Sequence, residues 1–199
     1  RRLDAAEQLT SSLGTEEVRW KAEIDKLNIE IDYLVGDMFL SASFISYLGG
    51  FIGEYRQDLI KSWLNLMKET SIPVTNDFNF INALGNPVTL RSWNINGLPT
   101  DNVSLENGII AMNSQRYSLM IDPQEQAVKW IKSEYNSNII VSRFTDNHLI
   151  KKMEGAIQSG TPILIENLTE HIDPVIDPVL LKSTHTNGGV DYISLTENE

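Results

Sequence analysis

Cysteine is absent from the 199 residues, which removes disulfides and thiolate chemistry and fits a reducing compartment. Basic residues are scarce: 16 Lys and Arg face 27 Asp and Glu, for a formal charge of −11. No basic face offers itself to nucleic acid, and the same deficit disfavours direct docking on an anionic membrane or another strongly acidic surface. Long apolar runs are missing too. The nearest, Met38 to Ile52, is interrupted by Ser41, Ser43, Ser46 and the Gly49-Gly50 pair. It reads as a buried core helix rather than a membrane span. The opening RRLDAAEQL has no initiator Met and carries no signal-peptide pattern, so the chain reads as an excerpt of something longer.

What is present begins with one long helical pattern, Leu3 to about Leu48. Trp20, Ile24, Leu27, Ile31, Leu34 and Met38 follow the alternating four-and-three spacing of a coiled-coil seam. Ala6, Leu9 and Leu13 keep the seam upstream, but Gly14 weakens it and Trp20 to Ile24 needs a stutter. The commoner explanation of such a pattern is an amphipathic helix lying on its own domain. The seam is narrow, however, and charged on both flanks, which favours a two-stranded coil whose partner strand is not in this chain. A continuous helix through Gly36 is expected. That glycine costs about 1 kcal/mol relative to Ala in a helix interior, and close packing against a neighbouring backbone is the expected reason. A second helix, Gly53 to Glu69, shows an apolar face at Tyr55, Leu59, Trp63, Leu66 and Met67, and this face is expected to anchor the first. The following stretch to about Val103 is rich in breakers and predicts short turns, with Phe78, Phe80 and Ile81 anchoring one short helix.

From Ser104 the texture alternates. LENGIIAMNS predicts a helix and YSLMID a strand. PQEQAVKWIKSEY predicts a helix with Pro123 at its first position and Asp122 as cap. NIIVSRF is a strand, DNHLIKKMEGAIQSG a helix ending at Gly160, TPILIENL a strand, DPVLLKS a short helix and VDYISL a last strand. Strand and helix alternating at this pitch imply right-handed crossovers and a parallel sheet, an α/β architecture.

One turn in this series raises a question of function. In a nucleotide-binding α/β protein, the turn between YSLMID and the next helix would hold a glycine-rich phosphate loop. Here it holds Asp122, Pro123, Gln124, Glu125 and Gln126, and no glycine. Other chemistry is poorly supported. The three histidines are not at metal-ligand spacing, and Glu166, Glu170, His171 and Asp173 read as a solvated loop after a strand rather than a metal site. No nucleophile-elbow motif occurs. No catalytic and no metal-binding residue is assigned.

LGTEEVRW, LVGDMFLSASFISYLGGF, SWNINGLPTDNVSLENGII, LMIDPQEQAVKWIK, GTPILIEN and IDPVIDPVLLK occur in this order, and together they resemble a dynein heavy chain over nearly the whole length. SWNINGLPTDNVSLENGI and DPQEQAVKWI look more like axonemal (ciliary) heavy chains than cytoplasmic ones. The resemblance implies the returning strand of the stalk coiled coil, with its seam at Trp20, Ile24, Leu27, Ile31 and Leu34, followed by the start of the fifth AAA+ module of the motor ring. It implies a partial P-loop-like parallel sheet with flanking helices. The implied division is a stalk-base helix over 1–48, a helical and loop lead-in over 49–103, and an incomplete, degenerate AAA+ large subdomain over 104–199. A complete module would continue into another strand and a helical lid.

Laid on the family's phosphate-loop (Walker A) pattern, Asp122 takes the first glycine position and Ala127 the second. Val128 falls where the Lys should be and Lys129 where the Ser or Thr should be. Pro123, Gln124 and Gln126 fill the turn between, and Gln124 and Gln126 are expected to bond backbone groups that phosphate would otherwise satisfy. Asp122 sets a negative charge beside the phosphate position. On the Walker B strand, Glu166 stands where the magnesium Asp would be and Asn167 where the catalytic Glu would be; an amide cannot take a proton from water. The implied function is a non-catalytic module that couples the ATPase ring to the microtubule-binding stalk in ciliary movement. The alternative is a module that binds ATP without hydrolysing it. No cofactor is expected in this module, with ATP and magnesium at other modules of the parent. Expected partners are the outgoing strand of the same stalk, the neighbouring AAA+ modules, and the microtubule only through the stalk tip, with neither nucleic acid nor membrane. The expected location is cytoskeletal, in the ciliary axoneme.

Overall fold

The computed structural model describes the backbone of residues 2–136 and 138–195, and side chains from residue 14 onward apart from residue 15. Ala6, Leu9 and Leu13 of the upstream seam therefore lie outside the described side chains. The chain divides into two compact units, residues 1–85 and 86–199.

The first unit is built on α1 (Arg2–Tyr47), α2 (Gly53–Glu69) and α3 (Phe80–Leu84). The long helix changes character at Gly36. From residue 16 to 35 no side chain is buried; from 36 onward Gly36, Leu40, Ser41, Phe44 and Leu48 are. These follow helical spacing and place one stripe against the rest of the unit. Leu40 packs with Met67 and Val74, and Phe44 stacks on Phe80 with ring centroids 3.9 Å apart. Gly36 is a close-approach position: a Cβ there would lie 2.1 Å from the Pro73 carbonyl oxygen. Beside it, the Asp37 carboxylate accepts from the Thr75 N–H at 2.9 Å and the Thr75 hydroxyl at 2.7 Å.

The second helix has the expected bounds but a different buried face. Arg56, Ile60 and Met67 are inside, with Trp63 and Leu64 packed beside the core, whereas Tyr55 and Leu66 are exposed. The anchor for α1 is thus Met67 and the segment after the helix, rather than Tyr55 and Leu59. What displaced the expected face is a charged residue in the first turn of the helix. Arg56 is only 1% exposed, and its guanidinium donates to the carbonyls of Leu48, Gly49 and Phe51 while lying 5.7 Å from the Phe44 ring. The last turn of α1 carries no basic residue of its own. Arg56 supplies the positive charge that its carbonyl end favours.

The second unit begins with α4 (Pro87–Ile95) and α5 (Asn102–Asn113). The stretch read as turns therefore holds a further helix. Its start is well specified: Asn86 caps the N–H groups of Val88 and Thr89, and Pro87 sits at the first helical position. Asp101 caps α5 through the N–H and hydroxyl of Ser104. After α6 (Gln126–Tyr135) come β1 (Ile140–Arg143), α7 (Leu149–Ser159) and β2 (Ile163–Glu166). Strands β1 and β2 pair in parallel, Ile140 opposite Ile163 through Arg143 opposite Glu166, with α7 as the crossover. Ile163 and Ile165 pack on a core of Leu149, Met153, Ile176, Val179 and Leu195, which ties the sheet to α7, to a 3-10 turn at Pro174–Ile176 and to α8 (Asp177–Leu180).

Two expected strands are corrected. Residues 117–122 form no strand: a strand is defined by its ladder, and no described segment offers this one a partner. Leu119 and Ile121 are accordingly 71% and 92% exposed. Val190–Tyr192 does not join the parallel sheet either. It is β4 of an antiparallel hairpin with β3 (His185–Asn187), across Gly188 and Gly189 with φ of 61° and 82°. Two positive-φ residues make the two-residue loop that hairpins favour, so the segment pairs locally. The architecture is mixed: mostly helical, with a two-stranded parallel sheet and a hairpin among the described residues. No described helix is long and apolar enough to cross a membrane.

Arg56 yields a stability test. Replacing it by Met keeps the aliphatic bulk but takes the side-chain donor from the half-buried Gly49 and Phe51 carbonyls, while the Leu48 carbonyl keeps the Phe51 N–H, which should cost about 2–3 kcal/mol. A urea midpoint lowered accordingly at unchanged slope is the expected result, and an unshifted midpoint contradicts the role given to Arg56.

Candidate functional site

The turn before α6 is organised by one carboxylate. Asp122 Oδ1 accepts from the Gln126 N–H at 2.9 Å and Oδ2 from the Val128 N–H at 3.0 Å. The helix starts three residues later than expected, because Pro123 and Gln124 form a turn closed by Glu125 N–H to the Asp122 carbonyl, and Glu125 takes the left-handed conformation at φ 57°. Asp122 is thus a cap acting from outside the N-cap position. Its two oxygens occupy free N–H groups at the start of a helix, where a phosphate would otherwise be held. The side chains of Gln124 and Gln126 do not make the expected backbone bonds. Both are exposed, and the shorter Asp122 already holds the N–H groups within reach. Ala127 and Val128 are half-buried, Lys129 is exposed, and Trp130 and Ile131 are buried as the packing face, Trp130 edge-on to Trp93.

The end of β2 is closed by a second internal pairing. Glu166 meets Lys132 of α6 at 2.6 Å, and Asn167 follows in the left-handed conformation at φ 57°, which Asn tolerates better than most residues. Glu166 therefore has an ammonium partner from this chain. Glu166, Glu170, His171 and Asp173 do not converge: among the described residues no three such groups are placed to share a metal ion, and Asp173 caps the 3-10 turn through the Val175 N–H.

Next to Glu166 an open cleft of about 310 Å³ lies at the C-terminal ends of the two strands, where ligands gather in open parallel sheets. It is lined by Ser142, Arg143, Thr145, Asp146, Lys152 and Glu166, with Val141. Three of its polar groups, Ser142, Asp146 and Lys152, bond one another. Asp146 Oδ2 accepts from Lys152 at 2.6 Å and from the buried Ser142 hydroxyl at 3.1 Å, and Oδ1 from the His148 N–H at 2.9 Å. The Lys152 bond, then the His148 N–H and the Ser142 hydroxyl, hold the Asp146 carboxyl down at about 2, from an ordinary 3.8. Sequence reading missed Lys132, Ser142, Asp146 and Lys152. The available signal was Asp146 three residues before the helix start, a capping pattern; the two lysines have no local signature. The seam residues Trp20, Ile24, Leu27, Ile31 and Leu34 are all exposed, Trp20 and Ile31 by 62%.

The Asp146 shift has a sign that can be checked. A folded value below the unfolded one means the network stabilises the fold fully above pH 3.8, and that this contribution is lost as pH falls towards about 2. Carboxyl NMR should place the Asp146 midpoint near 2, and Lys152→Met should move it up towards 3.8. A wild-type midpoint at 3.8 would show that the network does not form in solution.

A family model described as the ATP-binding dynein motor region matches residues 91–199, and one described as the microtubule-binding stalk of dynein motor matches residues 1–67. Over 99% of its length the chain is 44% identical to dynein axonemal heavy chain 3 of Mus musculus, and over 100% it is 40% identical to dynein axonemal heavy chain 6 of Homo sapiens. Over 100% it is also 41% identical to the dynein-1-beta heavy chain of the flagellar inner arm I1 complex of Chlamydomonas reinhardtii. It spans 5% of the first two relatives and 4% of the third. With the stalk match running into α2 and the motor-region match covering α5 to the hairpin, the chain belongs to the dynein heavy-chain family.

Proposed function

We propose that this chain is the part of an axonemal dynein heavy chain that couples the ATPase ring to the microtubule-binding stalk, through a P-loop-like AAA+ module that is itself non-catalytic. The observation that carries the reading is the continuity of α1. One unbroken helix passes from an exposed coiled-coil seam, Trp20 to Leu34, into a buried stripe, Gly36 to Leu48. Displacement at the buried end then reaches the seam without a hinge between. The seam takes the outgoing strand of the same stalk, the second unit takes the neighbouring AAA+ modules, and the microtubule is reached only through the stalk tip. The parent hydrolyses ATP, with magnesium, at other modules. The names of the relatives support a place in the ciliary axoneme.

The non-catalytic part rests on Asp122, Val128, Glu166 and Asn167 at the Walker positions. A phosphate approaching the start of α6 meets a carboxylate that already holds two of its N–H groups. The rival reading, a module that binds ATP without hydrolysing it, draws on the family's description as ATP-binding. Calorimetric titration of the chain with Mg-ATP separates them: no one-site isotherm in the micromolar range is expected, and such an isotherm would favour the rival.

Coupling is tested in the full motor. A flexible Gly-Ser pair inserted after Asp37 should leave basal ATP turnover in place while uncoupling it from microtubule affinity. Motility and microtubule-stimulated turnover unchanged by that insertion would sink the coupling role.

A further inference from the structure

We propose that Gly36 and Asp37 form, with Pro73 and Thr75, a clamp that fixes the axial and rotational position of the stalk helix at its base. The inference rests on the coupling role above and deepens it, by naming where along α1 the helix is held and what holds it.

Two contacts of different kinds meet at adjacent residues. At Gly36 the helix approaches the Pro73 backbone so closely that a Cβ would sit 2.1 Å from the carbonyl oxygen, 3.1 Å from its carbon and 3.2 Å from Met67 Cε. Under 3 Å from backbone, something must shift. At Asp37 one carboxylate takes both donors of Thr75, at 2.9 and 2.7 Å, across 38 residues of sequence. Bonds to an ionised acceptor are short and strong, and a two-point contact fixes direction as well as distance.

The sequence of α1 admits one register. Sliding the helix by one turn, about 5.4 Å, would bring Asp32 or Leu40 to the Pro73 carbonyl. Leu40 has no room there, and Asp32 would set a carboxylate against a carbonyl oxygen. Rotation by one residue would bring Val35 or Asp37, each with a Cβ. The only other glycine of α1 is Gly14, 22 residues away. The next turns repeat the fixation with apolar contacts, Leu40 on Met67 and Val74 and Phe44 on Phe80. On the other side of Gly36, none of the side chains of residues 16–35 is buried among the described residues. Motion along the seam is therefore confined to residues before Gly36, or it is motion of the held part of the unit as one body.

The test uses the full heavy-chain motor. Asp37→Ala and Thr75→Val are compared with Asp37→Asn, whose Oδ1 still accepts the Thr75 N–H. Three quantities are read: basal ATP turnover, the ratio of microtubule dissociation constants with and without ATP, and hydrogen exchange at the Thr75 amide. Asp37→Ala should speed exchange at Thr75 and reduce the affinity ratio about 5-fold or more, with basal turnover within about twofold of wild type. Asp37→Asn should fall between. If Asp37→Ala also abolishes basal turnover through misfolding, Thr75→Val decides, since it removes a single hydroxyl. The proposal is overturned if Asp37→Ala or Thr75→Val releases Thr75 yet leaves the affinity ratio intact. Should the Gly-Ser insertion uncouple the motor while these substitutions do not, the clamp alone fails; should the insertion also leave coupling intact, the coupling reading fails with it.

Discussion

The contact on which the first unit depends is between two pieces of backbone. A carbonyl from Pro73 reaches α1 where only a hydrogen separates it from the helix axis, and this needs glycine at residue 36. The cost of about 1 kcal/mol for Gly in a helix interior is outweighed by what the approach permits. With the chain this close, Val74 and Met67 close over Leu40, and Thr75 reaches the carboxylate next door. Further along, Phe80 meets Phe44, and Arg56 closes the carbonyl end of the same helix. Apolar packing, a charge-assisted contact to another segment and end-capping thus all act on one 13-residue stretch, Gly36 to Leu48, whereas none of the 20 side chains before it is buried.

The second unit is organised on a different principle, the internal pairing of charges around the strand ends. Three carboxylates at the start of α6 and around the strand ends are engaged within the chain itself. Asp122 holds two amides, Lys132 holds Glu166, and Lys152 holds Asp146. Asp122 and Asp146 are held by local backbone N–H groups as well, and each lysine comes from a neighbouring helix. Exposed pairs of this kind add little stability. Their consequence is chemical: an incoming anion would have to displace a carboxylate from the start of α6.

Helix bounds were legible in the sequence where local and tertiary signals agree. The second helix has the expected bounds, and the crossover helix and the two paired strands lie within the stretches the pattern gives them, the crossover helix starting three residues later at Leu149. Gly36 was legible for the same reason: a costly residue inside an otherwise strong helix asks for a tertiary explanation. The rest depends on partners that pattern does not encode. The apolar alternation of Tyr117, Leu119 and Ile121 is a good strand signal, but a ladder needs a second segment. Of the expected face of α2, Trp63 and Met67 pack on the core, but an arginine reads as polar and outward, whereas Arg56 with three carbonyl partners belongs inside. The α4 helix was hidden by its own breakers, although Asn86-Pro87 is as good a start signal as a turn signal. The charge network at the cleft joins residues up to 34 apart, Lys132 and Glu166, with no sequence trace.

The two halves of α1 also differ in what their stability rests on. An isolated helix gains little from propensity, and its stability comes from burying a face. The part after Gly36 has such a face and is held by this chain alone. The part before it presents Trp20, Ile24, Leu27, Ile31 and Leu34 to solvent, supported only by surface pairs such as Glu16 with Arg19 and Glu17 with Lys21. On the proposed reading that face is covered by the second stalk strand, so the seam's order depends on contacts that change in register while the base does not. A fixed base is what makes such a change readable. If both ends of a coiled coil were free to slide, a displacement at one would be absorbed as rotation or fraying. With one strand locked at a single glycine, the same displacement has to appear as a change of pairing along the seam.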